Sequence, residues 1–249
     1  MKKSYLSLLL IASVALPVAA FASGSSHWGY EGKEGPEHWA ELSHDFSMCG
    51  EGKFQSPIDI NETITGKLAQ IKTNYNDAEL EILNNGHTIQ VNYPKGSNMV
   101  VDGVKYNLLQ FHFHTPSENT IAGKKFPMEL HFVHATDDGK LGVLGVMIDE
   151  GKENKELAKI WAHLPTHKTA ANKINGVKIN GKNLLPNKSE YYRFSGSLTT
   201  PPCSEGVNWH VMANPISASK AQIDAFKKVF SMNARPVQQA APRLIVKDK

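Results

Sequence analysis

Gln110-Phe-His-Phe-His114 is the most informative segment of this sequence. Its alternating pattern is typical of a β-strand, in which His112 and His114 point to the same face. A third histidine, His131, follows seventeen residues later within Glu129-Leu-His-Phe-Val133. If the second segment is a neighbouring strand, three imidazoles meet on one face of a sheet. Zinc held by three protein ligands keeps its fourth position open for water, which is typical of a catalytic site.

Chance is the alternative explanation, because 11 histidines occur in 249 residues and most histidines have structural or solvated positions. Two neighbouring residues favour a metal site. Glu129 shares a strand face with His131, where its carboxylate can accept the second ring N–H of a ligand and fix the tautomer. Gln110 stands in the same relation to His112. We therefore interpret His112 and His131 as metal ligands, and Gln110 and Glu129 as the partners that orient their rings.

The first 22 residues have the pattern of a signal peptide. Lys2 and Lys3 precede a mostly apolar run over 8–16, and Ala20-Phe-Ala22 offers a cleavage site with small residues. The run is too short to span a membrane, and no other segment approaches the roughly 20 apolar residues that spanning needs. We therefore expect a mature chain over 23–249 that is periplasmic or secreted after cleavage near Ala22.

Composition narrows the possible partners and the number of domains. Loss of the two signal-peptide lysines lowers the formal charge from +3 to about +1, and no basic cluster indicates a nucleic-acid partner. About 227 mature residues without a linker or a repeat favour one domain. The two cysteines, Cys49 and Cys203, read as a disulfide in an exported chain, with two buried free thiols as the alternative. Neither has a second cysteine or histidine at zinc-finger spacing.

Strand patterns dominate the mature sequence. Short β-rich segments are separated by turn residues, and the segment 141–148 is apolar throughout, as expected of a strand that is buried on both faces. Strands are predicted over 79–83, 88–93, 99–101, 108–114, 128–134, 141–148 and 207–212. Two amphipathic helices are predicted over 152–162 and 219–230. The pattern indicates a large sheet with a few short helices.

Eight markers along the chain resemble the α-class carbonic anhydrases. In order they are His27-Trp-Gly-Tyr30, Gln55-Ser-Pro-Ile-Asp-Ile60, Asn84-Asn-Gly-His87, Gln110-Phe-His-Phe-His114, Glu129-Leu-His-Phe-Val-His134, Leu198-Thr-Thr-Pro-Pro-Cys203, Val207-Asn-Trp209 and Asn233-Ala-Arg-Pro236. The resemblance implies a mainly β fold: a single domain on a large, mostly antiparallel central sheet of about ten strands, with short helices at its periphery.

The same resemblance implies an activity, which is the reversible hydration of carbon dioxide to bicarbonate and a proton. One Zn²⁺ on His112, His114 and His131 would supply the attacking hydroxide. Thr199 would accept a hydrogen bond from that hydroxide and donate one to Glu118. The substrate is the small molecule carbon dioxide or bicarbonate, and the protein is expected to be a monomer or a homodimer.

Further residues receive roles from the resemblance. His87 would shuttle the proton to buffer, because a group that titrates near neutral pH can take up and release it readily. Apolar side chains would bind carbon dioxide, and polar ones would order the water along the proton path. The substrate pocket is expected from Val133, Val143, Leu198 and Trp209, and the water-ordering set from Tyr30, Asn85 and Gln90.

Departures from the family pattern leave the ligands intact. Thr115 and Ala135 stand where family members often have Trp, and Gln90 stands where they often have Asn. The main alternative is a catalytically silent carbonic-anhydrase-like binding module, which would lack a ligand histidine or the Thr199–Glu118 pair. A zincin peptidase would need a His-Glu-x-x-His motif, which the sequence does not contain.

Overall fold

The computed structural model describes residues 27–240 and 243–249. The predicted signal peptide over 1–22 and its cleavage site near Ala22 lie outside the described residues. In the described part of the chain, no helix is long and apolar enough to cross a membrane.

Strands make up most of the regular structure, and the helices are short. The strands are β1 (Asp59–Ile60), β2 (Thr63–Gly66), β3 (Lys72–Asn74), β4 (Ala78–Asn84), β5 (Ile89–Asn92), β6 (Asn98–Val101), β7 (Val104–His114), β8 (Thr120–Ile121), β9 (Met128–Ala135), β10 (Leu141–Glu150), β11 (Asn172–Ile179), β12 (Tyr191–Ser197), β13 (Glu205–Met212), β14 (Ile216–Ala218) and β15 (Ile245–Asp248). The α-helices are α1 (Trp39–Leu42), α2 (Met48–Glu51), α3 (Lys155–Trp161) and α4 (Lys220–Val229). The mainly β class with short helices is confirmed.

Among the described residues, one sheet of 13 strands forms the centre of the fold, and its central order is β4-β5-β7-β9-β10-β13-β12. The expectation of a mostly antiparallel sheet of about ten strands was wrong, because the sheet is mixed. The strand β10 pairs in parallel with β13 and β14, and β15 pairs in parallel with β2. Alternation along a strand is the same whichever way its neighbour runs, so the sequence pattern carried no sign of these parallel pairs.

The two faces of the sheet have different roles. Phe111 and Phe113 of β7 point into the main hydrophobic core, which also buries the apolar sides of α3 and α4. His112, between them, therefore points to the opposite face. A second, smaller apolar cluster, which includes Val143 and Trp209, lies apart from the main core. The strand β10 contributes to both clusters, which explains its almost continuous apolar sequence.

Local contacts set the ends of the predicted helices. The helix α3 begins at Lys155 rather than at residue 152, because the Asn154 side chain accepts hydrogen bonds from the backbone N–H groups of Glu156 and Leu157. Ser219 and Gln222 form a capping box at the start of α4.

Candidate metal centre

Three histidines meet where the central strands β7 and β9 lie side by side. His112 is directly opposite His131 in this antiparallel pair, and His114 is two residues further along β7. One ring nitrogen from each of the three lies within 4.8 Å of the others. The sheet register alone therefore brings together residues that are far apart in sequence.

Each histidine of β7 has its Nδ1 atom engaged. Nδ1 of His112 lies 2.9 Å from Oε1 of Gln110, and Nδ1 of His114 lies 2.8 Å from the backbone oxygen of Asn233. Both partners are oxygen acceptors, so both imidazoles carry their proton on Nδ1. The Nε2 atoms are left as lone-pair donors that face the cluster.

In His131 the other ring nitrogen, Nε2, has the oxygen partner. Its Nε2 atom lies 2.9 Å from Oε1 of Glu129, which leaves Nδ1 free. The fully buried Glu129 also accepts from the backbone N–H groups of Glu118 and Asn119 and from the Asn119 side chain, each at 2.8 Å. Burial alone would raise the pKa of Glu129, but the charge of His131 and these hydrogen bonds lower it overall.

The donor set fits a zinc ion. Three imidazole nitrogens, two Nε2 and one Nδ1, form an open cup, and the buried Nε2 of His114 has no hydrogen-bond partner among the described residues. Burial lowers the pKa of His114 and, more strongly, that of His112, which is lowered further by the neighbouring histidines. Neutral imidazole is the ligand form that metals require.

Glu118 lies beside the cup. Its Oε2 atom is 3.5 Å from Nε2 of His114 and 3.9 Å from Nδ1 of His131, and its Oε1 atom accepts from the backbone N–H of Arg235 at 2.8 Å. Burial raises the pKa of Glu118 to about 7, against the lowering effects of His131 and of a hydrogen bond from Thr199. The role expected of the Thr199–Glu118 pair stays a prediction.

An apolar wall adjoins the histidines. Val143 and Trp209 are buried in the smaller apolar cluster, and Val133 and Leu198 pack against it. The ring centroid of Trp209 lies 4.9 Å from that of His131. All four residues of the expected substrate pocket therefore belong to one cluster, and this cluster reaches the metal ligands.

His87 lies in the turn between β4 and β5 and is half-buried. Its ring stacks on Trp28, with the centroids 3.7 Å apart and the planes at 7°. Partial burial lowers the pKa of His87, and the charges of Lys168 and His27 lower it further. The residue is thus partly exposed to solvent.

The three residues expected to order water have different surroundings. Tyr30 packs edge-on against Trp28, and burial, then the charge of Glu118, raises its pKa well above its usual value. The side-chain oxygen of Asn85 accepts from the backbone N–H groups of His87 and Thr88, both at 2.9 Å. Asn85 therefore shapes the turn that carries His87. Gln90 lies opposite His112 in the pairing of β5 with β7.

Two residues of the Asn233-Ala-Arg-Pro236 marker support the site, although we assigned them no role from the sequence. Besides its contact with His114, Asn233 donates from its side chain to the backbone oxygens of His87 and Phe113, at 3.0 and 2.9 Å. The buried Arg235 binds Glu118 through its backbone. Their position in a recognised marker was the only available signal.

Cys49 and Cys203 form a disulfide, with the sulfur atoms 2.13 Å apart. It links α2 to the loop that follows Thr199. The Cys49 carbonyl also accepts from the side chain of Arg235 at 2.9 Å.

Comparison with known proteins gives a consistent result. Residues 34–248 match the model of the eukaryotic-type carbonic anhydrases. The chain is 47% identical over 240 residues to a carbonic anhydrase of Neisseria gonorrhoeae, covering 96% of this chain and 94% of that protein.

Solved structures agree. A hyperthermostable carbonic anhydrase from a hydrothermal vent chimney is 50% identical with a TM-score of 0.87. The α-carbonic anhydrase of Thermovibrio ammonificans, solved with the inhibitor sulfanilamide, is 46% identical with a TM-score of 0.86. Each comparison covers 90% of this chain and 100% of the other. The chain belongs to the eukaryotic-type carbonic anhydrase family.

Proposed function

We propose that this carbonic anhydrase hydrates carbon dioxide reversibly to bicarbonate and a proton with one Zn²⁺ on His112, His114 and His131. The observation that carries the proposal is the cup of three ring nitrogens, in which the other nitrogen of every ring lies 2.8 or 2.9 Å from an oxygen. When bound, zinc with an open position supplies hydroxide at neutral pH, which is the established property of carbonic anhydrases.

Thr199 and Glu118 orient the nucleophile. The Glu118 carboxylate would accept a hydrogen bond from the Thr199 hydroxyl, so that the Thr199 oxygen is left as an acceptor. The attacking oxygen must then direct its hydrogen to Thr199 and a lone pair to the carbon of carbon dioxide. Ionisation of Glu118 is easier when a cation lies beside it, which offsets the effect of burial on its pKa.

Carbon dioxide has no dipole and needs an apolar niche next to the nucleophile. The cluster with Val143 and Trp209 provides one, with Val133 and Leu198 at its margin. Val133 follows His131 by two residues on β9, so both side chains point to the same face.

His87 carries the proton from the site to buffer. A histidine with a pKa near neutrality accepts and releases a proton at similar cost in both directions. The ring is half-buried against Trp28, so part of the residue remains exposed to the solvent that would receive the proton. Tyr30, Asn85 and Gln90 order the water between the metal ligands and His87.

Stopped-flow measurement of carbon dioxide hydration tests the proposal with one ligand variant and one matched control. His114→Ala removes a buried ligand and is expected to abolish activity and zinc binding, whereas His163→Ala changes an exposed histidine and is expected to retain both. Activity in His114→Ala at the wild-type level would contradict the proposal. A folded, zinc-loaded wild type without activity would instead favour a silent binding module.

We also propose that residues 1–22 are a signal peptide and that 23–249 is one exported domain. The disulfide supports this, because such bonds persist in oxidising compartments such as the periplasm or the cell exterior. Mass spectrometry of the mature protein is expected to give an N-terminus near Ser23. Purification of the intact chain from the cytoplasm, with Met1 retained, would contradict export.

A further inference from the structure

A row of three polar side chains leads from the protein surface to the wall beside His112. The Nδ2 atom of Asn92 donates to Oε1 of Glu81 at 2.7 Å, and Nε2 of Gln90 donates to Oδ1 of Asn92 at 2.8 Å. Glu81 lies on β4, and Asn92 and Gln90 lie on β5. All three are partly buried.

The strand register places this row on the face of the sheet that carries the metal ligands. Gln90 pairs with His112, and Asn92 pairs with both Gln110 and Glu81. Residues that are directly opposite one another on neighbouring strands share a face. The side chains that alternate with the row are buried in the main core on the other face; they are Ile82, Ile89 and Val91.

Chemistry fixes the direction of every hydrogen bond in the row. A carboxylate can only accept, so Asn92 must offer Nδ2 to Glu81, and its oxygen then faces Gln90. Gln90 must in turn donate through Nε2. Its carbonyl oxygen accepts no hydrogen bond from the residues that the structure describes. Lys173, the strand partner of Glu81, binds Glu79 instead, at 2.9 Å, so Glu81 remains available to Asn92.

We propose that Glu81 is a positioning residue, which sets the orientation of the Gln90 amide and so presents a hydrogen-bond acceptor in the wall beside His112. Without a charged residue at the outer end, an amide row of this kind could run in either direction, because an amide has a donor end and an acceptor end. The kinetic consequence rests on the proposed function, in which Gln90 orders water on the proton path. An acceptor there would accept a hydrogen bond from the adjacent water molecule. A donor would instead donate a hydrogen bond to that water and so reverse its orientation.

The test is a substitution that reverses the direction of the hydrogen bonds in the row. A lysine ammonium can only donate, so Glu81→Lys requires Asn92 to offer its oxygen outward and its Nδ2 inward, and Gln90 then turns its NH₂ group to the wall. Glu81→Gln is close in shape and permits both directions. Glu153→Lys is the control, because it makes the same charge change at an exposed residue between β10 and α3, away from the row.

The first readout is the side-chain amide signal of Gln90 in ¹⁵N-labelled protein, which does not depend on activity. We expect Glu81→Lys to shift this signal and to speed its hydrogen exchange, Glu81→Gln to show a weaker change of the same kind, and Glu153→Lys to leave the signal unchanged. A Gln90 signal that is the same in wild type, Glu81→Lys and Glu81→Gln would overturn the inference. This outcome is independent of whether the protein hydrates carbon dioxide.

The second readout separates positioning from a general loss of structure. The free energy of one hydrogen bond corresponds to a change of roughly two- to tenfold in rate. We expect Glu81→Lys to lower kcat by that factor at unchanged kcat/KM, because only regeneration of the site uses the proton path. An equal loss in Glu153→Lys, or a fall in kcat/KM together with kcat, would count against the positioning role.

Discussion

At the scale of single residues, the site depends on hydrogen-bond partners that determine which ring nitrogen each histidine presents to a metal. Glu129 shows this most clearly: it is fully buried, its Oε1 atom lies 2.9 Å from Nε2 of His131, and it accepts hydrogen bonds from the Glu118 backbone and from Asn119. A buried carboxylate with this many donors stays ionised and fixed in orientation. The ring of His131 can therefore present only Nδ1 to a metal.

Substitution of Glu129 tests that dependence. Glu129→Gln keeps the shape but removes the charge, and one N–H of the new amide then competes with the donors around it. We expect zinc to dissociate roughly 10- to 100-fold faster, measured by transfer to a chromophoric chelator. Glu156→Gln, a change at a buried carboxylate on α3, serves as the control. Equal dissociation rates in the two variants would contradict the role given to Glu129.

The surroundings of His87 predict a directional change in its pKa. Burial, then the positive charges of Lys168 and His27, disfavour the imidazolium and lower the pKa. Lys168→Met removes one of these charges, so the pKa of His87 should rise, and the acidic limb of kcat should move to higher pH. An NMR titration of the His87 ring measures the shift directly, with Lys182→Met as the control. A pKa that falls or stays constant would show that Lys168 does not act on His87.

At the scale of elements, two glycines of β10 leave room for side chains on neighbouring strands, and one of these side chains orients a metal ligand. Gly145 lies opposite His131, and a Cβ atom there would sit 3.1 Å from Oε1 of Glu129. At Gly142, on the same strand, a Cβ atom would instead meet Met99 and Tyr106 at 2.9 Å. Gly145 therefore lies against a residue of the metal centre, whereas Gly142 lies against core side chains away from it.

These glycines give a matched pair of substitutions. Gly145→Ala should weaken zinc binding, because the added methyl group displaces Glu129 and with it His131. Gly142→Ala should lower the free energy of unfolding by about 1–3 kcal/mol through overpacking but leave zinc affinity unchanged. Chelator competition and denaturant unfolding on both variants check this. The reverse pattern would refute the assignment of each glycine to its neighbours.

The contacts of four strands explain why three of them were predicted and one was missed. Strands β7, β9 and β10 were predicted because each buries at least one apolar face, which leaves a clear pattern in the sequence. The strand β11 (Asn172–Ile179) was missed because it is a largely exposed edge strand with an irregular register opposite β4. For the metal centre, alternation alone predicted His112, His114 and both oxygen partners, whereas the contacts of Asn233 and Asn119 depend on long-range packing.

At the scale of the whole molecule, the disulfide ties two distant parts of the chain together. Cys49 and Cys203 are separated by 154 residues. Closing a loop of that length restricts the unfolded chain, so replacement of both cysteines by serine should lower the free energy of unfolding by about 2–5 kcal/mol. Urea unfolding of the oxidised wild type and the double variant measures the difference. Coincident unfolding curves would contradict this estimate.

Two buried histidines outside the metal centre predict the acid stability of the fold. Burial lowers the pKa of His134 to about 3 and that of His210 to about 4. Both take up a proton when the chain unfolds below their ordinary pKa of about 6.5, so stability should fall as the pH drops from about 6.5 towards 4. Each contributes about 1.4 kcal/mol per pH unit in that range.

A substitution isolates this effect. The unfolding free energy of His210→Gln should fall less steeply with decreasing pH than that of the wild type, and the difference in slope should equal the contribution of one histidine. His163→Gln, at an exposed position, should leave the slope unchanged. Urea unfolding at several pH values provides the slopes. Equal slopes in wild type and His210→Gln would show that His210 is already protonated in the folded protein.

The central claim is that three histidines of one sheet face hold a zinc ion on which carbon dioxide hydration depends. Its most direct test is stopped-flow hydration by the purified protein before metal removal, after chelation and after addition of one equivalent of Zn²⁺. We expect activity to disappear with the metal and to return in proportion to the zinc bound, up to one ion per chain. Full activity in the metal-free protein, or none in the folded and zinc-loaded protein, would contradict the account.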